Sequence, residues 1–251
     1  MSALLAERLR RRVRANGSTP LLTYYDLDSG ERTELSAISF SNWVDKTSNL
    51  LVDEVAVTEG DVIFMPLAVE APGHWLTGVW QLACWQVGLV VDITNPTLPV
   101  AVVTGRQWQS YRERDIFACA LHPLGFGFDE PLPESVRDYA IEVRSHPDTY
   151  SGQPPDTDTT AWVDADRILN QADLVQVDGP PARRLVRAGD PWATLPGWHR
   201  DCAGYRWVSG GRGRRGCRSA GPDCRQRATA CALSLAITLH RQRSAAERTA
   251  C

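Results

Sequence analysis

Strand-like and helix-like segments alternate strictly between residues 33 and 96, and this alternation constrains the fold more than any other feature. Apolar runs at 62–65 and 89–93 have the length of buried strands. An apolar pattern with the period of a helix precedes each run, over residues 39–51 and 75–88. This order predicts an α/β fold, with a layered, mainly parallel sheet and flanking helices.

The sequence around this block continues the pattern. Turn formers at residues 28–30 separate two strand-forming segments and predict a hairpin. Ser39 or Ser41 is the expected N-cap of the helix over 39–51, and Gly88 is expected to close the next helix. Further predicted strands lie at 21–26, 31–35, 100–104, 116–121, 141–144 and 184–186, and further predicted helices at 4–16, 107–114, 134–140 and 160–171.

Length and composition predict a globular chain. Its 251 residues, 43% of them hydrophobic, can bury a full core. We expect residues 1–190 to form one truncated α/β domain and residues 191–251 to form a separate tail. There is no apolar run of about 18 residues and no signal-peptide pattern at the start, so we expect a cytoplasmic location and no membrane contact.

The tail differs sharply from the rest in charge and composition. Residues 196–251 contain eleven arginines and three acidic residues, a net charge of +8, whereas the whole chain carries −3. Residues 1–195 therefore carry about −11. Five of the seven cysteines lie in the same tail. The favoured interpretation is a reading-frame change near codon 197, because GC-rich DNA read out of frame yields arginine, alanine, glycine and cysteine codons in excess.

Two functional interpretations of the tail stay open beside a frame change. A zinc site could use Cys202, Cys217, Cys224 and Cys231, although no two of them have the close spacing of a zinc-binding pair. Residues 210–216 form an Arg/Gly segment with aromatic neighbours, a composition typical of nucleic-acid binding. Most of the tail is predicted to be disordered.

Several motifs between residues 35 and 96 stand in an order known from one enzyme superfamily. A helix ends in Asn49-Leu50-Leu51, Gly60-Asp61 precedes a strand, and Asn95-Pro96 follows the next strand. Together they resemble the start of the adenylate-forming superfamily, the acyl-CoA synthetases and their relatives, over roughly residues 20–190. The sequence is similar, more closely still, to a small actinobacterial family of uncharacterised proteins that are distantly similar to AMP-binding enzymes and match the front part of their N-terminal domain.

The resemblance implies a phosphate loop after the segment near residue 143. Here Tyr150, Ser151 and Gly152 are its degenerate counterpart, and they are the candidate nucleotide-binding residues for AMP or ATP. Phosphate loops bind through converging backbone N–H groups and a lysine. Pro154 and Pro155 have no N–H to donate, and no lysine follows, so a solvated linker is the alternative interpretation. The family's downstream adenylate motifs are expected beyond the end of this chain.

No catalytic residues are predicted, because the five histidines show neither metal nor triad spacing, and no metal site is predicted. His74 is the candidate ligand-facing residue, since the resemblance places a loop that borders the acyl pocket here. A histidine with structural contacts at a helix start is the alternative. Cys84 and Cys119 are interpreted as buried thiols.

The sequence therefore favours a non-catalytic relative of the AMP-dependent synthetases that acts as a binding or partner-interaction module. A protein partner or a second copy of the chain is the expected partner. One alternative is an AMP/ATP- or acyl-binding, ligase-like enzyme with a degenerate phosphate loop. The other, disfavoured here, is nucleic-acid binding through the basic tail.

Overall fold

A computed structural model describes residues 4–25, 32–176, 198–201 and 204–207. The chain begins with helix α1 (Leu5–Asn16) and continues into strands β1 (Pro20–Tyr25) and β2 (Arg32–Ser36), which pair antiparallel. This confirms the predicted helix and the predicted strand pair. The turn at residues 28–30 lies outside the described residues.

Helix α2 (Ala37–Leu50) follows β2 directly and continues through a π-helical turn at Leu51–Val55. Its N-cap is Ser36, whose hydroxyl accepts the Ser39 N–H at 3.1 Å. The predicted caps Ser39 and Ser41 are both wrong, because the helix starts earlier, where the hairpin ends.

Seven strands form the central sheet, in the order β7-β6-β5-β3-β4-β8-β9. All neighbouring pairs are parallel except β8 and β9, which pair antiparallel. The strands are β3 (Val62–Phe64), β4 (Val90–Asp92), β5 (Ala101–Thr104), β6 (Ile116–Ala118), β7 (Arg137–Asp138), β8 (Thr160–Val163) and β9 (Ile168–Asn170). The predicted mainly parallel sheet with flanking helices is thus confirmed.

The remaining α-helices are α3 (Leu67–Glu70), α4 (Trp75–Val87), α5 (Tyr139–Glu142) and α6 (Gln171–Gln176). Every residue of α4 is buried, and the helix ends at Gly88 with a φ of 91° in the left-handed region that favours glycine. Between residues 107 and 114 only a short 3₁₀ turn forms, at Trp108–Ser110. The longer helix predicted there is wrong, because Tyr111 is extended and packs its ring on Phe64 instead.

Three further predictions are wrong near the end of the described domain. The helix predicted at 134–140 does not form, because Arg137–Asp138 make strand β7, which pairs with β6. Residues 141–144 are helical rather than extended, because the Asp138 carboxylate caps α5 by accepting the Ala140 N–H at 3.0 Å. Residues 160–170 form the strands β8 and β9 rather than a helix, because β8 pairs with the distant strand β4. A tight turn at Asp164 then reverses the chain, with its carboxylate accepting the Arg167 N–H at 2.8 Å.

The sheet has two faces that are covered differently. The helix face, which carries Ile63, Val103 and Phe117, belongs to the main core with α1, α2 and α4. The loop face, which carries Phe64, Val102 and Ile116, has a smaller core. Among the described residues, the side chains packed on the loop-face core come from loops and the 3₁₀ turn: Trp108, Tyr111, Phe128 and Leu132.

Beyond residue 176 the structure describes one short hairpin, in which β10 (Trp198–Asp201) pairs antiparallel with β11 (Gly204–Trp207). The strand predicted at 184–186, the four candidate zinc ligands and the Arg/Gly segment lie outside the described residues. Within the part that is described, no helix has both the length and the apolar character needed to cross a membrane.

Candidate functional site

The sheet topology places a candidate binding crevice at the carboxyl ends of β3 and β5. These neighbours connect in opposite directions: β3 leads through α4 to β4 on one side, whereas β5 leads to β6 on the other. Ligands of open α/β sheets bind at such switch points. The residues that follow β3 and β5 are therefore the first place to look for chemistry.

Glu70 lies at this crevice and joins the two strand ends. Its carboxylate accepts the Thr104 hydroxyl at 2.7 Å and the Gly105 N–H at 2.8 Å. Tyr111 lies near Glu70. Burial raises the pKa of the Tyr111 phenol most, and the Glu70 charge adds to that rise, whereas a hydrogen bond with Thr104 opposes it. Sequence reasoning missed Glu70, although an acidic residue shortly after a buried strand is a signal that could have found it.

His74, the predicted ligand-facing residue, lies at the same edge and caps α4. Its ring is buried, and Nδ1 accepts the Leu76 N–H at 3.2 Å. The Tyr24 ring lies 4.6 Å from the His74 ring, and the Trp75 ring stacks at 5.8 Å. The structure thus gives His74 a structural contact as N-cap, and its role towards a ligand stays a prediction.

The loop that follows β6 closes over this edge. The Trp75 indole N–H donates to the Pro123 carbonyl at 2.9 Å, and the Thr33 hydroxyl donates to the same oxygen at 2.9 Å. Gly125 lies so close that a Cβ there would stand 3.0 Å from the Trp75 ring. The loop therefore packs tightly on the aromatic start of α4.

Tyr150, Ser151 and Gly152, the predicted nucleotide-binding residues, lie away from this edge. The segment before them is attached to the end of α2, because the Asn49 amide donates to the Pro147 and Thr149 carbonyls at 2.8 and 3.1 Å. The chain then reaches the carboxyl end of α4, where a Cβ on Gly88 would meet Pro155 at 2.9 Å.

The two sets of predicted site residues are therefore not brought together. His74 caps the start of α4, whereas Pro155 lies against the glycine that ends it. Because α4 has 13 residues, the two ends are separated by about 20 Å.

The Tyr150 ring covers the predicted phosphate loop, and backbone N–H groups just after the loop are bonded within the protein. The Tyr150 ring folds back over Gly152, where a Cβ would fall 2.0 Å from its hydroxyl. Burial raises the pKa of the Tyr150 phenol, while the Arg10 charge opposes that rise. Further along, the Asp156 N–H donates to the Glu59 carboxylate at 2.9 Å, and the Asp158 N–H donates to the Asp156 carboxylate at 3.0 Å.

The chain's single lysine, Lys46, makes its hydrogen bonds outside the predicted phosphate loop. Its ammonium donates to the backbone carbonyls of His146 and Arg144, which end a 3₁₀ turn at Val143–Ser145. Lysine at such a position satisfies carbonyls that the helix leaves unpaired. Lys46 therefore serves the packing of this turn on α2.

Cys84 and Cys119 are free thiols buried in the main core, and burial raises the pKa of each. This agrees with their interpretation as buried thiols, because nucleophilic cysteines have a lowered pKa. No group of three His, Cys, Asp or Glu side chains suited to a metal ion occurs within the described ranges.

Comparison with solved structures shows which class of protein has a similar fold. Its sheet and flanking helices match the N-terminal domain of adenylate-forming enzymes, as in the anthranilate CoA ligase AuaEII, solved in complex with anthranoyl-AMP. The TM-score is 0.52 at 12% identity, and the match covers 71% of this chain and 38% of that ligase. The N-terminal domain of FACL13 from Mycobacterium tuberculosis gives a TM-score of 0.49 at 11% identity, covering 70% of this chain and 45% of that domain.

Sequence comparison adds a particular relative. The chain is 33% identical over 144 residues to a TIGR03089 family protein of Mycobacterium tuberculosis, an actinobacterium, covering 54% of this chain and 57% of that protein. The matched stretch thus spans little more than half of this curated relative. No protein-family model matches the chain. The predicted resemblance to the fold of adenylate-forming enzymes, and to an uncharacterised actinobacterial protein family, is confirmed.

Proposed function

We propose that the chain is a non-catalytic relative of the AMP-dependent synthetases that acts as a binding or partner-interaction module. The observation that carries this proposal is the bonding of residues 156–159, just after the predicted loop at Tyr150, Ser151 and Gly152. A phosphate loop needs free N–H groups that converge on the anion. Here the N–H groups of Asp156 and Asp158 donate to protein carboxylates, and the Thr159 N–H donates to the Asp156 carbonyl at 3.2 Å.

Charge supports the same conclusion. The carboxylates of Glu59 and Asp156 accept the N–H groups just after the predicted loop, so the bonding partners there are negatively charged. Negative charge there would repel a phosphate. The chain's single lysine, Lys46 on α2, is bonded to the backbone carbonyls of Arg144 and His146 and brings no compensating charge.

The test is the thermal stability of the full chain with Mg²⁺ and ATP, with AMP, or with a non-hydrolysable acyl-adenylate analogue. A ligand at a hundred times its Kd stabilises a protein by about 2.7 kcal/mol. In a domain of this size that corresponds to a rise in Tm of several degrees. We expect no rise with any of the three, and no ATP–pyrophosphate exchange. A saturable rise that Tyr150→Ala abolishes would overturn the proposal.

A second candidate function is the binding of an acyl or aryl group without adenylation. The position of His74 favours it, because its ring lies between Tyr24 and Trp75 at the edge where open α/β sheets bind ligands. Titration with benzoate or a medium-chain fatty acid, followed by tryptophan fluorescence, tests it. This candidate requires a saturable change that is lost in His74→Ala and kept in His122→Ala, the control histidine on the neighbouring loop.

A further inference from the structure

The loop face of the sheet is covered differently from the helix face. A parallel sheet is normally buried on both faces. Within the described ranges, the helix face packs on α1, α2 and α4, whereas Phe128 and Leu132, which pack on the loop face, are only half-buried. Covering the loop face would therefore bury more additional apolar surface than covering the helix face.

A hollow of about 190 Å³ opens on the loop face. Its apolar lining is supplied by Trp108, Tyr111, Ile116 and Val136. The polar side chains around it are Arg112, Glu113 and Ser135. An apolar centre with a polar rim is the composition of a protein–protein interface.

Two loops of opposite charge border this hollow. The basic loop, residues 105–114, exposes Arg106, Arg112 and Arg114. The acidic loop, residues 126–135, exposes Asp129, Glu130 and Glu134. Both loops contribute to the hollow, the first through Trp108, Tyr111 and Arg112, and the second through Ser135.

The exposed charges of the two loops do not neutralise each other. Arg114 lies 3.8 Å from Asp115, and the Arg106 guanidinium donates to the Ala120 carbonyl at 3.0 Å. The Arg112 guanidinium donates to the carbonyls of Gln109 and Tyr111, both within its own loop. Among the residues that the structure covers, no ion pair joins the basic loop to the acidic loop.

We infer that the loop face binds the loop face of a second copy of this chain. In a two-fold dimer each patch meets itself, so a patch must be complementary to its own image. A two-fold axis that lies in the plane of the interface and runs between the two loops places the basic loop of one copy opposite the acidic loop of the other. The apolar lining of the two hollows is then buried at the centre of the interface.

The presence of both charges on one face is the reason for choosing a second copy over other partners. A partner of a single charge sign would meet repulsion from one of the two loops, and like charges placed together across an interface oppose binding. A nucleic acid in particular would be repelled by Asp129, Glu130 and Glu134. A partner that carries the same two loops in the opposite order satisfies both.

The experiment measures the mass of the full chain by sedimentation equilibrium across a range of concentrations and NaCl. We expect a dimer of twice 27.8 kDa that weakens as salt rises. The variant R112E/R114E should raise the dimer Kd by about tenfold or more, and E130R/E134R should do the same. The control R11E/R14E changes two exposed arginines of α1, with the same change in charge, and should leave the Kd unchanged.

Mixing the two loop variants gives the decisive result. Each alone has like charges across the two-fold axis, but a 1:1 mixture pairs one variant's unaltered loop with the other's, and also pairs the two reversed loops. We therefore expect heterodimers of near wild-type affinity in the mixture. Failure of the mixture to recover affinity would overturn the inference, as would a monomer at all concentrations or a dimer that neither variant weakens.

This inference rests on the proposed function as an interaction module and names its partner. The two can fail separately, because nucleotide binding is detected as a rise in Tm and dimer formation as a change in mass. A chain that binds ATP and still dimerises through the loop face would overturn the proposed function alone. A chain that ignores nucleotides and stays monomeric would overturn only the inference about the loop face.

Discussion

Glu70 and Gly105 connect the carboxyl ends of β3 and β5, since the Glu70 carboxylate accepts the Gly105 N–H at 2.8 Å. The second carboxylate oxygen accepts the hydroxyl of Thr104, a residue with no exposed surface. Leaving a buried donor without its partner is more destabilising than the hydrogen bond itself is stabilising. The Glu70 side chain thus stabilises the switch point between β3 and β5, because its carboxylate accepts two hydrogen bonds.

We expect Glu70→Ala to lower the free energy of unfolding by about 1–3 kcal/mol, because it leaves the Thr104 hydroxyl and the Gly105 N–H without an acceptor. Urea denaturation followed by tryptophan fluorescence measures the change. Asp166→Ala, which removes an exposed carboxylate from the turn between β8 and β9, is the control. Equal stability of the two variants would show that Glu70 does not hold the two strand ends.

Alanine substitutions at three glycines distinguish the cost of backbone strain from the cost of a steric clash. A Cβ added at Gly73 would stand in open space, and the φ of this residue is not left-handed. Gly60 has a φ of 88° with open space, and Gly88 has a φ of 91° with Glu59 and Pro155 at 2.9 Å from an added Cβ. Alanine in the left-handed region costs about 1–2 kcal/mol. A Cβ closer than ordinary van der Waals contact adds strain to its neighbours.

We therefore expect Gly73→Ala to be neutral or slightly stabilising. Gly60→Ala should destabilise by about 1 kcal/mol, and Gly88→Ala should destabilise by more than Gly60→Ala. Thermal unfolding of the three variants under one set of conditions gives the order. A Gly88 variant as stable as the Gly73 variant would contradict the close packing of Pro155 against the end of α4.

The alternation of helices and strands from residue 33 to residue 96 was predictable because its information is local. The α4 pattern ends at a glycine, and the strands on either side are short apolar runs. Strand β8 was not predictable in this way. Its residues show no strong periodicity of hydrophobic side chains. It becomes a strand because Trp162 pairs with Val91, a residue far away in the sequence.

The candidate site shows the same limit. The family resemblance singles out His74, because it places a loop that borders the acyl pocket at this helix start, and in the structure His74 is the N-cap of α4. Glu70 and Gly105, however, meet across 35 residues, and only the strand order brings them together. The hydrophobic pattern of one segment does not indicate which strand ends will be neighbours. The contact between Glu70 and Gly105 could therefore not be predicted from the sequence.

The buried indole of Trp85 joins α4 to strand β8 of the sheet. Its N–H donates to the Ala161 carbonyl in β8 at 2.8 Å. Trp85→Phe keeps most of the apolar volume but leaves that carbonyl without this donor, so we expect a loss of about 1–3 kcal/mol. Trp43→Phe, at a half-buried position of α2, is the control for the change in ring size. Hydrogen exchange should also show the β8 amides opening more readily in Trp85→Phe alone.

Asp45 makes the stability of the helix layer depend on pH. Burial raises the pKa of its carboxyl above the ordinary 3.8, and the Asp148 charge adds to that rise, although the hydrogen bond from Gln86 and the Arg10 charge oppose it. The fold therefore favours the protonated carboxyl. Its stabilising contribution is complete below pH 3.8 and is lost as the pH rises through the folded pKa.

Asp45→Asn should accordingly stabilise the protein at pH 7, because an amide oxygen can still accept the Gln86 N–H, now 2.8 Å from the carboxylate, without carrying a charge. The site is partly exposed, so solvent screening limits the gain to about 1 kcal/mol or less. Urea denaturation at pH 3, 5 and 7 should show the difference from wild type shrinking towards pH 3. Asp166→Asn, with the same loss of charge at an exposed site, is the matched control. A destabilised Asp45→Asn at pH 7 would mean that the favourable charge of Arg10 and the hydrogen bond from Gln86 outweigh burial.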